Sequence, residues 1–437
     1  MGVELASNCP KSKGYREIFV ELNNPLNYRE AKIAASRCYF CHDAPCINAC
    51  PTRIDIPLFI RQILTDDLKG SATTIFSQNI MGGMCARVCP TEQLCEEACI
   101  RNHNEDKPVE IGRLQRYSTD YLIDKGCMPF TCAKSNGKKV CVVGAGPAGL
   151  SCAHRLATLG YQVDIFDANE KPGGLNEYGI AAYKTTNNFA QKEINYILSI
   201  GGITTKNGIR LGKDQDLTTL QKNYDAVFLG IGMEEAKILG LPKENSVGVE
   251  DAIDYIRKIR QAKELSELPI GKRIVVIGGG MTSIDIAIQA KRLGAEEVII
   301  AYRRGPEHMK ASIHQREIAQ TSGVTIKYWV KPKQLHVNEG KLNAIEFEYS
   351  KDQICKFFTL EADTIFIAIG QQISQDIQLN LKMKNGRISV DQEKRTSIQN
   401  IWAGGDCVNG GLDLTVDAIE DGKIAAESIH RELGNIM

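Results

Sequence analysis

The sequence lacks any run of 18 or more apolar residues, so no membrane-spanning helix is expected. Residues 1–24 lack both the apolar core and the small-residue cleavage pattern of a secretory leader, so the chain is expected to stay in the cytoplasm. Neither sign of charge is in excess: 53 Lys plus Arg stand against 53 Asp plus Glu. That balance gives no basis for a nucleic acid or an anionic membrane as partner. The two glycine-rich units described below contain no Cys-x2-Cys or Cys-x4-Cys pair, which argues against a disulfide relay. There is no compact set of nucleophile, base and orienting acid either. No catalytic side chain is therefore assigned, and the chemistry is expected to come from bound cofactors.

What the sequence does have is cysteine. Of 15 cysteines, eight (Cys38, Cys41, Cys46, Cys50, Cys85, Cys89, Cys95 and Cys99) fall within 62 residues. In a reducing compartment such a cluster points to metal ligands more than to disulfides. The spacings are Cys38-x2-Cys41-x4-Cys46-x3-Cys50-Pro and Cys85-x3-Cys89-Pro-x4-Cys95-x3-Cys99. Closely spaced cysteines ending in Cys-Pro suit two interleaved [4Fe-4S] clusters. The alternative is a pair of four-cysteine zinc sites, which usually pair Cys-x2-Cys knuckles across a longer loop. His42 is expected to be solvated or to donate to a sulfur. Cys127 and Cys132 are expected as free thiols.

The 437 residues, 43% hydrophobic and 24% charged, suffice for two or three domains. Residues 1–135 show short helical patterns, at 56–64 and 114–123, and read as an α-helical iron–sulfur domain. A polar stretch at 133–139 leads into the apolar run 140–143, a glycine loop and a helical pattern. The same order returns from Lys272, so two Rossmann-like units are expected, with first glycines 134 residues apart. The fold class is α/β, with residues 136–245 and 371–437 forming a flavin domain around a nicotinamide-nucleotide domain at 246–370.

In the first unit, Gly144-Ala145-Gly146-Pro147-Ala148-Gly149 follows a strand and opens a helix, and Asp167 lies 23 residues past the first glycine. Such glycines let backbone approach a pyrophosphate at a helix N-terminus, and the acid reaches ribose hydroxyls. Near the C-terminus, Gly404-Gly405-Asp406 resembles a second FAD fingerprint in which Asp406 binds the ribityl chain. The inserted unit carries Gly278-Gly279-Gly280-Met281-Thr282-Ser283, with Ser in the third glycine's place. Its second strand ends in Arg303 and Arg304, where an NAD site usually has an acid. Two guanidinium groups suit the 2′-phosphate of NADP(H), with Lys310 a third basic contact; a solvated basic pair is the alternative.

Four segments together resemble dihydropyrimidine dehydrogenases: Arg37-Cys-Tyr-Phe-Cys-His-Asp-Ala-Pro-Cys46, Cys50-Pro-Thr-Arg-Ile-Asp-Ile-Pro57, Cys85-Ala-Arg-Val-Cys-Pro-Thr-Glu-Gln-Leu-Cys95 and Ile111-Gly-Arg-Leu-Gln115. The likeness runs from about residue 28 to the C-terminus and covers the electron-input half of those enzymes, which bacteria make as a separate subunit. The resemblance implies one cluster on Cys38, Cys41, Cys46 and Cys99. It implies a second on Cys50, Cys89, Cys95 and Gln115, leaving Cys85, which composition alone would choose, as a neighbour. For FAD it implies Gly144 to Gly149, Asp167, Gly174, Leu175, Lys184, Gly405, Asp406, Leu414 and Thr415; Lys184 stands where arginine is commoner. For the nicotinamide nucleotide it implies Gly279 to Thr282, Arg303, Arg304, Lys310 and the turn Ala368-Ile369-Gly370, with NADP(H) favoured by the arginines and NAD(H) by the bacterial subunits. The implied partner bears FMN and a site where uracil or thymine is reduced. The glutamate synthase small subunit, of the same wider family, is the rival, and Gln115 with the Cys89 to Cys95 spacing argues against it. A zinc-bearing binding module is the rival of a different class.

Overall fold

The computed structural model describes residues 19–351, 356–374, 377 and 380–434. They fall into two compact units. The first comprises Asn23–Glu177, Asn187–Glu235 and the described part of Gln371–Met437; the second comprises the described residues up to Leu22, Tyr178–Thr186 and Ala236–Gly370. The iron–sulfur helices and the flavin sheet thus share one unit. Residues 178–186, expected with the flavin segment, fold with the nucleotide unit.

In the first unit, the helix Ile56–Leu64 starts at Asp55, whose side chain accepts from Leu58 N–H, with Pro57 in its first turn. Ile56, Phe59, Ile60 and Ile63 recur at helical spacing and are buried with Ala31, Ala35, Ile75 and Leu114. Each fully buried Ile or Phe contributes roughly 1.5–3 kcal/mol. The helix Ile111–Lys125 carries Gln115 and stops at Gly126, whose φ of +61° only glycine adopts cheaply. The flavin part is a parallel sheet in the order Ile401–Ala403, Ala226–Leu229, Lys139–Val143, Gln162–Asp167, Ile203–Asn207. Its central strands are buried on both faces, which explains their unbroken apolar runs. The C-terminal helix Thr415–Gly434 lies against the helix Pro147–Thr158, where a Cβ on Gly422 would come 2.1 Å from Ala148 O. One hydrophobic core runs from Phe76, Met84 and Leu122 of the N-terminal helical segment into Leu150, Ile165, Ile194 and Ile419.

The second unit repeats the design with a parallel sheet in the order Val249–Asp251, Thr364–Ala368, Arg273–Gly278, Glu297–Ala301, Thr325–Lys327. An antiparallel sheet of Val330–Asn338, Lys341–Tyr349 and Lys356–Glu361 completes it. The segment Tyr178–Thr186 is held there by Leu22 N–H to Tyr183 O (2.8 Å) and Ala182 N–H to Gln289 Oε1 (2.9 Å). Among the described residues no helix is long and apolar enough to cross a membrane.

Candidate functional site

The strand Lys139–Val143 ends at Gly144, whose φ is +101° and whose N–H donates to Phe166 O at 2.7 Å. A Cβ on Gly144 would come 2.3 Å from Gly230 O, and one on Gly149 would come 1.8 Å from Gly144 O. Only glycine lets the chain turn here and the helix begin against the sheet. Gly146 caps that helix and Pro147 opens it, leaving Ala148 in its first turn. Gly174, at φ +54°, comes backbone to backbone with Gly146; a Cβ on Gly174 would lie 2.9 Å from Gly146 Cα. Bare backbone at a helix N-terminus is what a pyrophosphate requires.

Asp167 is buried and already has work to do. Its Oδ2 accepts from Ala145 N–H at 2.6 Å and its Oδ1 from Asn169 N–H at 2.7 Å, so it fastens the glycine loop to the second strand. A carboxylate has about four acceptor positions, which leaves capacity for a ribose hydroxyl. Across the sheet, Gly405 has φ +77° and its N–H donates to Asp421 Oδ2 at 2.9 Å, while Asp421 is ion-paired with Lys394. The half-buried Asp406 has no hydrogen-bond partner among the described residues. Burial, helped by Asp413 and opposed by Arg387, pushes its carboxyl up to about 6. Leu414 and Thr415 lie at the start of the C-terminal helix, and Thr415 Oγ1 donates to Asn176 Oδ1 at 2.9 Å, next to Leu175 and Gly174. A glycine cradle, an unpartnered carboxylate and a helix start fit the pyrophosphate, ribityl chain and ring of FAD.

Lys184 belongs to the other compact unit. It folds in the nucleotide unit, where its Nζ is 2.7 Å from Asp285 Oδ1, the two side chains being 11% and 5% exposed. Tyr183 OH donates to the same carboxylate oxygen at 3.2 Å.

In the nucleotide unit Gly278 has φ +151°, and a Cβ there would meet Ala368 O at 2.2 Å. Ser283 is fully buried with Oγ 3.5 Å from Ala368 O, so serine fills the third glycine's place without separating helix from sheet. Gly279 lies under the Tyr302 ring. Gly280 caps the helix Met281–Arg292 and faces open space, with Met281 and Thr282 in the first turn. Gly370 turns at φ +103° beside the partly exposed Ile369. Arg303, Arg304 and Lys310 are exposed, and among the described residues none has a carboxylate partner or a side-chain hydrogen bond. Arg303 and Arg304 just past the second strand, with Lys310 further along the chain, are free cations of the kind that fit a 2′-phosphate.

The thiols form two neighbouring sets. Cys38, Cys41, Cys46 and Cys99 line one cavity together with Ala44, Pro45, Ile56 and Ile60. Burial first, then the nearby Cys38 and Cys99, pushes the Cys46 thiol up to about 12. Cys89 is raised by a hydrogen bond with Cys85, by burial, and by Cys85, Cys95 and Cys50 as neighbours; Cys95 also feels Cys46 of the first set. Gln115 is buried and its Nε2 donates to Gly82 O at 2.7 Å, which leaves the Oε1 acceptor unused by that bond. Cys85 stands in the same group through its contact with Cys89. Among the described residues no three His, Cys, Asp or Glu side chains converge as they would around a single ion. The first thiol set borders a cavity instead, which fits a cluster. The His42 side chain is fully exposed and 3.2 Å from Asp43. Cys127 and Cys132 are exposed free thiols.

Two residues at these sites went unnoticed in the sequence. Asn176 is one. Glu193 is the other: fully buried on the helix Phe189–Leu198, it accepts from Gly83 N–H (2.8 Å) and Met84 N–H (3.0 Å) and ties the flavin part to the helix Gly82–Val88, which leads to Cys89. Burial pushes its carboxyl up to about 8, with those N–H groups and Arg87 pulling it down and Asp120 adding to the rise. The helical register was the available signal, because Glu193 falls on the stripe of Phe189, Ala190, Ile194 and Ile197.

Residues 138–422 match the pyridine nucleotide-disulphide oxidoreductase family, and residues 15–127 match the family described as dihydropyrimidine dehydrogenase domain II, 4Fe-4S cluster. The chain is 35% identical over 400 residues to the NAD-dependent dihydropyrimidine dehydrogenase subunit PreT of Salmonella typhimurium, covering 91% of this chain and 93% of that one. It is 32% identical over 445 residues to the glutamate synthase [NADPH] small chain of Escherichia coli, covering 94% and 93%. Among solved structures, thioredoxin reductase of T. acidophilum superposes with a TM-score of 0.56 at 20% identity, over 68% of this chain and 99% of that one, a likeness of fold.

Proposed function

Because the chain belongs to the pyridine nucleotide-disulphide oxidoreductases, and is an NAD(P)-dependent oxidoreductase with flavin and iron–sulfur sites, we propose that it is the electron-input subunit of a dihydropyrimidine dehydrogenase. FAD would be held by Gly144 to Gly149, Asp167, Gly174, Leu175, Asp406 and Thr415. Two [4Fe-4S] clusters would be held by Cys38, Cys41, Cys46 and Cys99 and by Cys50, Cys89, Cys95 and Gln115. When bound, the flavin takes hydride from the nicotinamide and the clusters carry its two electrons onward one at a time. The protein's part is positional: the glycine loop and helix N-terminus orient the pyrophosphate, and Asp406 offers acceptors to the ribityl hydroxyls. Arg303, Arg304 and Lys310 favour NADP(H); NAD(H), which the name of the Salmonella relative carries, is the alternative.

The observation that carries this reading is the common core of the first unit. The helices Leu68–Gln78, Gly82–Val88 and Ile111–Lys125 share that core with the flavin sheet, and Glu193 fixes the helix that leads to Cys89. A cluster held in part by Cys89 would thus be built on a helix packed directly against the flavin part. The acceptor would be a separate FMN-bearing subunit that reduces uracil or thymine. The likeness to a glutamate synthase small chain supports a second reading, with that enzyme's large subunit as partner. The test is uracil-dependent NAD(P)H oxidation by the chain with and without an FMN-bearing pyrimidine-reducing subunit. Uracil turnover only in the mixture is expected. Turnover with a glutamate synthase large subunit, and none with the pyrimidine-reducing one, selects the second reading.

A further inference from the structure

We infer that Trp329 is a further nucleotide-binding residue, its indole the platform on which the adenine of the nicotinamide nucleotide stacks; this rests on the nucleotide site proposed above. In open parallel α/β sheets ligands bind beyond the carboxyl ends of the strands. Three such ends lie side by side in the second unit. The strand Arg273–Gly278 runs into Gly279, which lies under the Tyr302 ring. The strand Glu297–Ala301 runs into Tyr302, Arg303 and Arg304, and Thr325–Lys327 runs into Tyr328 and Trp329. Hydrogen bonds continue the pairing past the strand ends: Tyr302 N–H to Lys327 O (2.9 Å), Val330 N–H to Tyr302 O (3.0 Å) and Trp329 N–H to Arg304 O (3.1 Å). Trp329 is therefore fixed beside the arginines, two strand spacings of about 4.8 Å each from the glycine loop. A nucleotide with its pyrophosphate on that loop and its 2′-substituent at Arg303 and Arg304 carries its base to this end of the sheet.

Two features of Trp329 itself point to a ligand. Its φ is +57°, a conformation that strains a bulky side chain, and it is held there by the bond to Arg304 O and by Ser350 N–H, which donates to Trp329 O at 2.9 Å. Backbone strain of this kind gathers at ligand sites. The side chain is also within reach of a ligand. It is partly exposed, and Lys351 Nζ stands over its ring, 4.5 Å from the centroid. That ring face is covered by the end of a flexible side chain and not by the core, so a base can displace it. Adenine is flat and uncharged, and an indole stacks on it whether or not the ribose bears a 2′-phosphate.

The test uses the flavin-replete full-length protein and ADP-ribose, which carries the adenine and pyrophosphate without the nicotinamide. Trp329→Ala keeps the backbone bond to Arg304 and is expected to bind ADP-ribose about tenfold more weakly than wild type, the loss of one stacked base. Trp329→Phe keeps a smaller ring and should lose about threefold or less. In both, the ratio of kcat/KM for NADPH to that for NADH should stay within about twofold of wild type, because the base is common to the two nucleotides. Saturating ADP-ribose should quench wild-type tryptophan emission and leave that of Trp329→Phe unchanged. The other tryptophan, Trp402, is buried in the flavin sheet with its Nε1 donating to Ser428 Oγ at 3.0 Å. ADP-ribose affinity of Trp329→Ala within about twofold of wild type overturns the inference and leaves Trp329 as a turn residue. A ratio that shifts along with the affinity also overturns it, by putting the ring on the 2′-phosphate. If Trp329→Ala does not fold, the emission decides, and unquenched wild-type emission at saturating ADP-ribose overturns the inference. Wild-type protein that binds neither ADP-ribose nor either nicotinamide nucleotide would instead sink the nucleotide site itself.

Discussion

The two nucleotide-binding units are built alike and solvated oppositely. Each ends its first strand in a positive-φ glycine whose Cβ would strike a carbonyl of the neighbouring strand end, Gly144 against Gly230 O and Gly278 against Ala368 O. At the next strand end they part. Asp167 is buried and bonded into its own loop, whereas Arg303 and Arg304 stand exposed and unpaired. Backbone sterics dictate the shared glycines, while the charge and burial around them are free to differ. A buried, pre-bonded site holds a resident cofactor; an open cationic one suits a cosubstrate that must enter and leave.

The comparison breaks most visibly at the glycines. Gly149→Ala forces a Cβ to 1.8 Å from Gly144 O, so the purified variant should carry under about a tenth of an FAD per chain. Gly280→Ala adds a Cβ with nothing within 4 Å and should keep FAD and iron while raising KM for the nicotinamide nucleotide. FAD retained by the first variant, or lost by the second, would contradict the contrast. At the exposed end, the double variant Arg303→Ala, Arg304→Ala removes two charge-assisted contacts. The ratio of kcat/KM for NADPH to that for NADH should fall about 100-fold. An unchanged ratio would make the arginines a solvated face.

What the sequence disclosed follows the same division. The strand–glycine–helix order and the Cys-Pro spacing were legible because local backbone geometry and ligand reach demand particular residues at particular intervals. The pairing of Lys184 with Asp285 was not, because it depends on residues 178–186 folding with the nucleotide unit. Glu193 and Asn176 were missed because their surroundings come from far along the chain. Glu193 meets Gly83 and Met84 about 110 residues away, and Asn176 meets Thr415 at a separation of 239. An acid in a helix reads as solvent-facing until the helix it caps is known to dock there.

Buried acids sharpen the comparison at its smallest scale. Asp285 in the nucleotide unit is ion-paired with Lys184, while Glu193 in the flavin unit relies on two N–H groups and is pushed up to about 8. With its folded value above the unfolded one, Glu193 holds its proton in the native state, so its contribution is lost as pH rises through about 8. Wild type should lose about 1 kcal/mol between pH 7 and 9, seen as a falling unfolding midpoint. Glu193→Gln keeps an acceptor for Gly83 and Met84 N–H and should flatten that slope; an equal slope in both proteins would show that Glu193 does not carry it.

On the proposed function, one chain takes hydride from a nicotinamide nucleotide and hands on single electrons through flavin and iron–sulfur clusters. Anaerobic purification with quantification of FAD, iron and sulfide, followed by titration with NADPH and with NADH, tests it most directly. About one FAD and about eight iron per chain are expected, with the visible bands bleached by at least one of the nucleotides. Zinc in place of iron, or a bound flavin that neither nucleotide reduces, would contradict it.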